Sequence, residues 1–194
     1  MKICVIGDSG VGKTSLIQKY TNQHTILKKT TLAAEFSCKD ISLLSQPTRL
    51  HIWETSGEKT FQALTPAFFN GADACVIVYQ ANSRKSVESV LRWKAFFEET
   101  VSTVNMPVAV VANKTDLGCQ YGALEAQKYL HKHCKRSNMK YFETNSEDLD
   151  EISHMFQEVA EEAFKLSRLY QMSPEYETRS ETDTSLPSPI FKAN

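Results

Sequence analysis

The sequence predicts an α/β protein built on a six-stranded, mostly parallel sheet with helices on both faces. Three observations carry that expectation. Short β-rich runs alternate with amphipathic segments of about helix length, as repeated strand–helix–strand units require. The runs Cys75-Val76-Ile77-Val78-Tyr79 and Val108-Ala109-Val110-Val111-Ala112 are apolar without alternation, which is how strands covered on both faces read. A glycine-rich loop leaves the first strand and opens directly into a helical segment.

Taken in order, Lys2–Ile6 is the first strand, and Ser15-Leu16-Ile17-Gln18-Lys19-Tyr20 begins the first helix. Glu35–Leu44 and Arg49–Glu54 are the second and third strands. Gln46-Pro47-Thr48 between them reads as a hairpin turn, so one edge of the sheet is expected to be antiparallel. Asp73–Tyr79, Pro107–Asn113 and Lys140–Glu143 complete the strands. In the last helix Ile152, Met155, Phe156, Val159, Ala160, Ala163 and Phe164 fall at helical spacing, and Asp148 with Glu151 three residues on marks its start. From Gln171 the composition turns to Ser, Thr, Glu and Pro with few apolar residues, too few to offset the entropy of ordering the chain. Residues 1–170 are therefore expected to form one domain and residues 171–194 a disordered tail.

Composition narrows the function classes. The 194 residues hold 22 Lys+Arg against 23 Asp+Glu and are 41% apolar, which describes a soluble domain large enough to fold without disulfides or a structural metal. A net charge of −1 lacks the basic footprint of a nucleic-acid binder and the polybasic patch of a membrane-surface protein. Cys4, Cys38, Cys75, Cys119 and Cys134 form no CxxC pair, and most sit in apolar runs, so reduced thiols in a cytoplasmic protein are expected; the protein is also expected to be a monomer. No apolar stretch reaches the ~18 residues of a membrane span, and the first residues lack a signal-peptide core.

Gly7-Asp8-Ser9-Gly10-Val11-Gly12-Lys13-Thr14, followed by Ser15, matches G-x-x-x-x-G-K-[ST]. Such a pattern arises by chance in roughly one random chain of this length per hundred, so its position between a strand and a helix is what makes it a phosphate site. Glycines let main-chain N–H groups turn inward around a phosphate, and the helix start adds partial positive charge. Lys13 is placed to reach the outer phosphates, and the Thr14 hydroxyl to ligate Mg²⁺. At the end of the fifth strand stands Asn113-Lys114-Thr115-Asp116, followed by Leu117. An aspartate there accepts from N1–H and the exocyclic amine of guanine, whereas adenine offers an acceptor at N1. Alone the quartet is an ordinary polar turn. Following a phosphate loop in order, it disfavours an ATP-using enzyme and selects guanine.

With these motifs the chain resembles the Ras superfamily of small GTPases, and the Rab branch most closely, over residues 1 to about 170. Thr30-Thr31-Leu32-Ala33-Ala34-Glu35-Phe36 resembles the Rab pattern TIGVDF, and Trp53-Glu54-Thr55-Ser56-Gly57-Glu58-Lys59 a departed copy of WDTAGQE. Phe68-Phe69-Asn70-Gly71-Ala72-Asp73 resembles YYRGAD, and Glu143-Thr144-Asn145-Ser146-Glu147 takes the place of ETSAK. The resemblance implies a P-loop fold that binds GTP or GDP with Mg²⁺ and switches between two states. It assigns Thr14, Thr31 and Glu54 to the metal, and Thr31, Gly57 and Glu58 to the γ-phosphate and its hydrolysis. The phosphate loop through Ser15, Asn113, Lys114, Asp116, Leu117, Asn145, Ser146 and Glu147 are assigned to the nucleotide. It also implies effector proteins reading Phe36, Trp53 and Phe68, together with an exchange factor and a GTPase-activating protein. Ordinary core packing is the competing reading of those aromatics, but alternate residues of one strand do not all face inward.

Several departures bear on the chemistry. Glu58 stands where the family has the glutamine that orients the attacking water. An ionised glutamate only accepts hydrogen bonds, and its charge repels the developing oxyanions, so hydrolysis is expected at or below the order of 10⁻⁴ s⁻¹. The competing view makes Glu58 a general base. Glu54 replaces an aspartate, and its extra methylene shifts the carboxylate by about a bond length in an octahedron that tolerates little distortion. Asn145-Ser146-Glu147 replaces Ser-Ala-Lys, and Ala33 replaces glycine. The alternative function is a pseudo-GTPase interaction module with little or no hydrolysis. The last cysteine is Cys134 and Lys2 follows Met1, so neither prenylation nor myristoylation is expected, and membrane recruitment is expected only through a partner.

Overall fold

The computed structural model describes residues 1–22, 31, 33–101, 106–118 and 122–171. In chain order the elements are β1 (Lys2–Ile6), α1 (Lys13–Thr21), β2 (Ala34–Leu43), β3 (Gln46–Thr55), a 3₁₀ segment (Lys59–Leu64), α2 (Thr65–Phe69), β4 (Ala74–Gln80), α3 (Arg84–Thr100), β5 (Val108–Asn113), α4 (Ala123–Arg136), β6 (Lys140–Glu143) and α5 (Leu149–Gln171). One six-stranded sheet runs in the order β2-β3-β1-β4-β5-β6. All neighbouring pairs are parallel except β2 with β3. After β1 the chain crosses to the edge strand β2 and returns through β3 to β1, and from β4 it builds outward on the other side. The loops at the carboxyl ends of β1, β3, β4 and β5 therefore meet where the strand order reverses, which is where open α/β sheets bind ligands.

The period of two along each strand divides the core. Ile3 and Val5 of β1, Val76 and Val78 of β4, and Ala109 and Val111 of β5 face α1 and α5, where Tyr20 and Phe156 stack with ring centroids 4.2 Å apart. Cys4, Ile6, Cys75, Ile77, Tyr79, Val110 and Ala112 face the opposite way, toward Val87, Val90, Trp93 and Phe97 of α3 and Leu130 of α4. Both faces are covered, as the continuous apolar strands require. The start of α5 is capped as expected, with Asp148 Oδ1 accepting from the N–H groups of Asp150 and Glu151 at 3.0 Å each.

The hairpin departs from expectation. Gln46-Pro47-Thr48 is not the turn but the first part of β3, and Leu43 pairs directly with Gln46. The turn is Leu44-Ser45, both left-handed at φ 47° and 66°. Those are the dihedral signs of a two-residue turn whose twist matches its strands, here held without glycine or asparagine at roughly 1–2 kcal/mol per residue. Pro47 is tolerated because β1 starts its pairing only at His51, leaving that stretch of β3 with one open edge.

Cys4, Cys75 and Cys134 are buried free thiols and Cys38 an exposed one; Cys119 lies outside the described residues. Burial pushes the Cys4 thiol up to about 12 and the Cys134 thiol to about 11. Gln171 closes α5, so the tail expectation concerns residues 172–194, outside the described residues. Among the described residues no helix is long and apolar enough to cross a membrane.

Candidate functional site

The phosphate loop runs from the end of β1 into α1, and the first turn of α1 has neither a side-chain cap nor an acidic residue. Its forward-pointing N–H groups and partial positive charge face the loop. Gly12 precedes the helix at φ 100°, and a Cβ there would lie 2.3 Å from Asn113 Nδ2, so only glycine fits both the dihedral and the approach. The Lys13 ammonium folds back across the loop and donates to the carbonyls of Gly7 and Asp8, each at 2.9 Å. The side chain is 5% exposed, and burial lowers its pKa to about 8 against the opposing pull of Glu54 and Asp8. A desolvated cation held by two neutral carbonyls is electrostatically suited to an anion.

Beside it three oxygen donors converge. Thr14 Oγ1 donates to Glu54 Oε1 at 2.6 Å and lies 3.5 Å from Thr31 Oγ1. Glu54 comes from β3, is 4% exposed, and has its pKa raised by burial against hydrogen bonding from Thr14 and the charge of Lys13. One carboxylate and two hydroxyls form a hard-oxygen set that fits Mg²⁺, an ion usually held by one or two carboxylates together with phosphates and water. Thr14, Thr31 and Glu54, the residues expected at the metal, thus lie together in the structure. Thr30 and Leu32 lie outside the described residues.

Removing the Glu54 charge separates its two effects. Because folding raises this pKa above its ordinary 4.5, the proton is held more tightly in the folded state. The cost of the charge is absent below about 4.5 and grows as pH rises toward the folded value. Metal-free Glu54→Gln is accordingly expected to melt higher than wild type at pH 7, with the gap closing toward pH 4.5. It is also expected to lose any stabilisation by millimolar Mg²⁺. Thermal melts with and without metal across that range check both effects.

The residues expected on the base side are tied to the same loop. Asn113, fully buried at the end of β5, donates from Nδ2 to the Val11 carbonyl at 2.8 Å and accepts from Ser146 Oγ at 2.6 Å. Lys114 Nζ donates to the Gly10 carbonyl at 2.7 Å and to Gln80 Oε1 at 3.1 Å. Asp116 and Leu117 are exposed on the turn after β5, and Ser15 is exposed on α1. The Asn145 side chain turns inward along its own loop, its Oδ1 accepting from the N–H groups of Glu147 at 2.8 Å and Asp148 at 2.9 Å. Glu147 points to Lys19 Nζ at 3.8 Å with its side chain 86% exposed. The reversed charge at this position thus meets an opposite charge on α1, a weak contact at such exposure.

Gly57 lies against the main chain of Gly7, Asp8 and Ser9. The preceding Ser56 N–H donates to the Ala33 carbonyl at 2.8 Å, joining the segment after β3 to the one before β2. Ala33 holds φ 59°, a strained value where a glycine would sit freely. Glu58 is half-buried, its N–H donating to Ser56 Oγ at 3.3 Å. Phe36, Trp53 and Phe68 form a continuous aromatic row, with ring centroids 5.3 Å apart between Phe36 and Trp53 and 5.8 Å between Trp53 and Phe68. Phe36 is 49% exposed, whereas Trp53 is partly buried against the core beneath it and carries Lys2 Nζ 5.0 Å from its ring, so the cluster runs from the surface into the edge of the core.

Gln80 and Lys19 join the site without having been expected there, and so does Trp93, whose Nε1 donates to Asp8 Oδ1 at 2.8 Å. None carries a local signal, because each partner is distant in sequence.

Residues 2–165 match the Ras family. The chain is 36% identical over 187 residues to Ras-related protein Rab7A of Mesembryanthemum crystallinum, covering 92% of this chain and 86% of that one. It is 35% identical over 171 residues to Ras-related protein Rab-7a of Dictyostelium discoideum, covering 86% and 83%. To Ras-related protein RABG3f of Arabidopsis thaliana it is 35% identical over 170 residues, covering 85% and 82%.

Proposed function

The chain belongs to the Ras family and is Rab7-like over most of its length, and on that premise we propose that it is a guanine-nucleotide switch of membrane traffic with slow GTP hydrolysis. The observation that supports this most directly is the convergence of Lys13, Thr14, Thr31 and Glu54 on an uncapped helix start. Asn113 and Lys114 are bonded to the same loop.

In this reading the main-chain N–H groups from Gly7 to Thr14 and the start of α1 hold the phosphates, and the Lys13 ammonium exchanges its two carbonyl partners for phosphate oxygens. Thr14, Thr31 and Glu54 hold Mg²⁺, which when bound neutralises charge on the outer phosphates. Asp116 selects guanine by accepting from its N1–H and amine, Leu117 and Ser15 border the nucleotide, and the loop of Asn145, Ser146 and Glu147 brings the Ser146 main-chain N–H to the base. Thr31 and the Gly57 N–H bind the γ-phosphate, so both segments respond to its presence. Phe36, Trp53 and Phe68 present that state to effector proteins, and an exchange factor and a GTPase-activating protein set its lifetime. The protein acts in the cytoplasm, at the periphery of membranes.

Glu58 and Glu54 support the second reading, an interaction module that barely hydrolyses GTP. Glu58→Gln is expected to raise the single-turnover rate about tenfold, by exchanging a repelling charge for an amide that can donate to the γ-phosphate. A fall in that rate would mark Glu58 as a base. Mass spectrometry of nucleotide released from the purified chain tests the proposal as a whole. Recovery of GDP or GTP supports it; an empty protein whose melting temperature ignores micromolar GTP overturns it.

A further inference from the structure

A carboxylate in a loop that cradles phosphates is an electrostatic liability, and Asp8 is the only acidic residue between Gly7 and Ser15. Its main-chain carbonyl already accepts from the Lys13 ammonium at 2.9 Å. Its side chain is directed elsewhere: Oδ1 accepts from Trp93 Nε1 at 2.8 Å, across a separation of 85 residues. Trp93 is 7% exposed on α3 and packs edge-on against Phe96, with ring centroids 6.1 Å apart. An indole has one donor and no acceptor, and a buried one has little rotational freedom, so the hydrogen bond fixes where the carboxylate lies. The cleft between the loop and α3, about 340 Å³, is also lined by Lys59, Lys85 and Arg92, whose charges favour a carboxylate on that side.

We infer that Trp93 is a positioning residue for nucleotide binding: its indole N–H holds the Asp8 carboxylate toward α3, off the phosphate side of the loop, and so preserves affinity for GTP relative to GDP. The inference rests on the guanine-nucleotide reading above. Its direction follows from charge, because a released carboxylate repels the more highly charged nucleotide more strongly.

The test is equilibrium titration of the full chain with fluorescent GDP and a fluorescent non-hydrolysable GTP analogue in Mg²⁺. Trp93→Phe keeps an aromatic ring and removes the N–H. It is expected to weaken the analogue about tenfold and GDP less than about threefold, as loss of one hydrogen bond to a charged group allows. The change in ratio is expected to shrink as salt rises and to be reversed by adding Asp8→Asn. Benzothienylalanine at position 93 keeps the bicyclic shape without the N–H and is expected to reproduce the shift, which covers the case in which Trp93→Phe fails to fold. A merely structural role would weaken both nucleotides alike and would not be rescued by Asp8→Asn; either result overturns the inference. A wild-type chain that binds both nucleotides, with the ratio unmoved in the variants, overturns this inference alone. A wild-type chain that binds neither overturns it together with the reading beneath it.

Discussion

Replacing Lys13 by methionine is expected to leave the fold standing and to lower affinity for GDP and for a non-hydrolysable GTP analogue by roughly 10²–10³-fold, the scale of removing one partner from a buried charge pair. The fold survives because the free protein gains little from this ammonium, which is desolvated and held by two carbonyls. Methionine fills the same channel without a charge to desolvate. The same lysine sets a pH dependence. Burial lowers its pKa to about 8 in the free protein, and a bound phosphate returns it upward, so binding takes up a proton above pH 8. Wild-type affinity is therefore expected to hold steady from this group below pH 8 and to fall by up to tenfold per pH unit above it. Titrations between pH 7 and 9.5 check the slope, which Lys13→Met is expected to lose.

Gly57→Ala is expected to abolish nucleotide-dependent partner binding. A Cβ at this position would lie 2.2 Å from the Ser9 nitrogen, 2.3 Å from the Asp8 carbonyl carbon and 2.5 Å from the Gly7 carbonyl oxygen. All three are main-chain atoms, so no rotamer relieves the clash, and one segment must shift. The phosphate loop is braced by Lys13, Asn113 and Lys114. The Gly57 segment is held by the Ser56 N–H to the Ala33 carbonyl and by the Glu58 N–H to Ser56 Oγ, so it is the part that moves. The advantage of the GTP analogue over GDP is expected to fall about tenfold with the lost contact to the γ-phosphate. GDP affinity changes little. In pull-downs from lysate, partners recovered differentially by the wild type are expected in equal amounts with either nucleotide, since a partner that sees no difference between states shifts nothing. Retained discrimination would place the γ-phosphate response elsewhere.

Much of this architecture was legible because its signals are short-range. The unbroken apolar runs of β4 and β5 announced strands covered on both sides, and the Asp148 cap with the helical stripe from Ile152 to Phe164 announced α5. The Leu44-Ser45 turn has no such signal, since nothing in either side chain favours a left-handed backbone and the neighbouring Pro47 is the stronger turn former. At the site, spacing within the phosphate loop located Lys13 and Thr14. That Glu54 reaches Thr14 despite its extra methylene, and that Ser146 bonds Asn113 where the family's alanine has no hydroxyl, depends on how β3 and the loop after β6 are set against β1 and β5.

What the amino-acid order determined by itself is the list of elements, the glycine positions of the loop and the residue types proposed to meet phosphate, metal and guanine. Side-chain period and turn chemistry act over a few residues and need no partner. Only the tertiary structure decided which groups meet. Trp93 touches Asp8 because α3 packs on the face of the sheet to which the loop turns, and Lys19 meets Glu147 because α1 lies beside the loop before α5. Such contacts join residues that are far apart in the chain, and their geometry exists only after the strands have taken their order and the helices have closed over them.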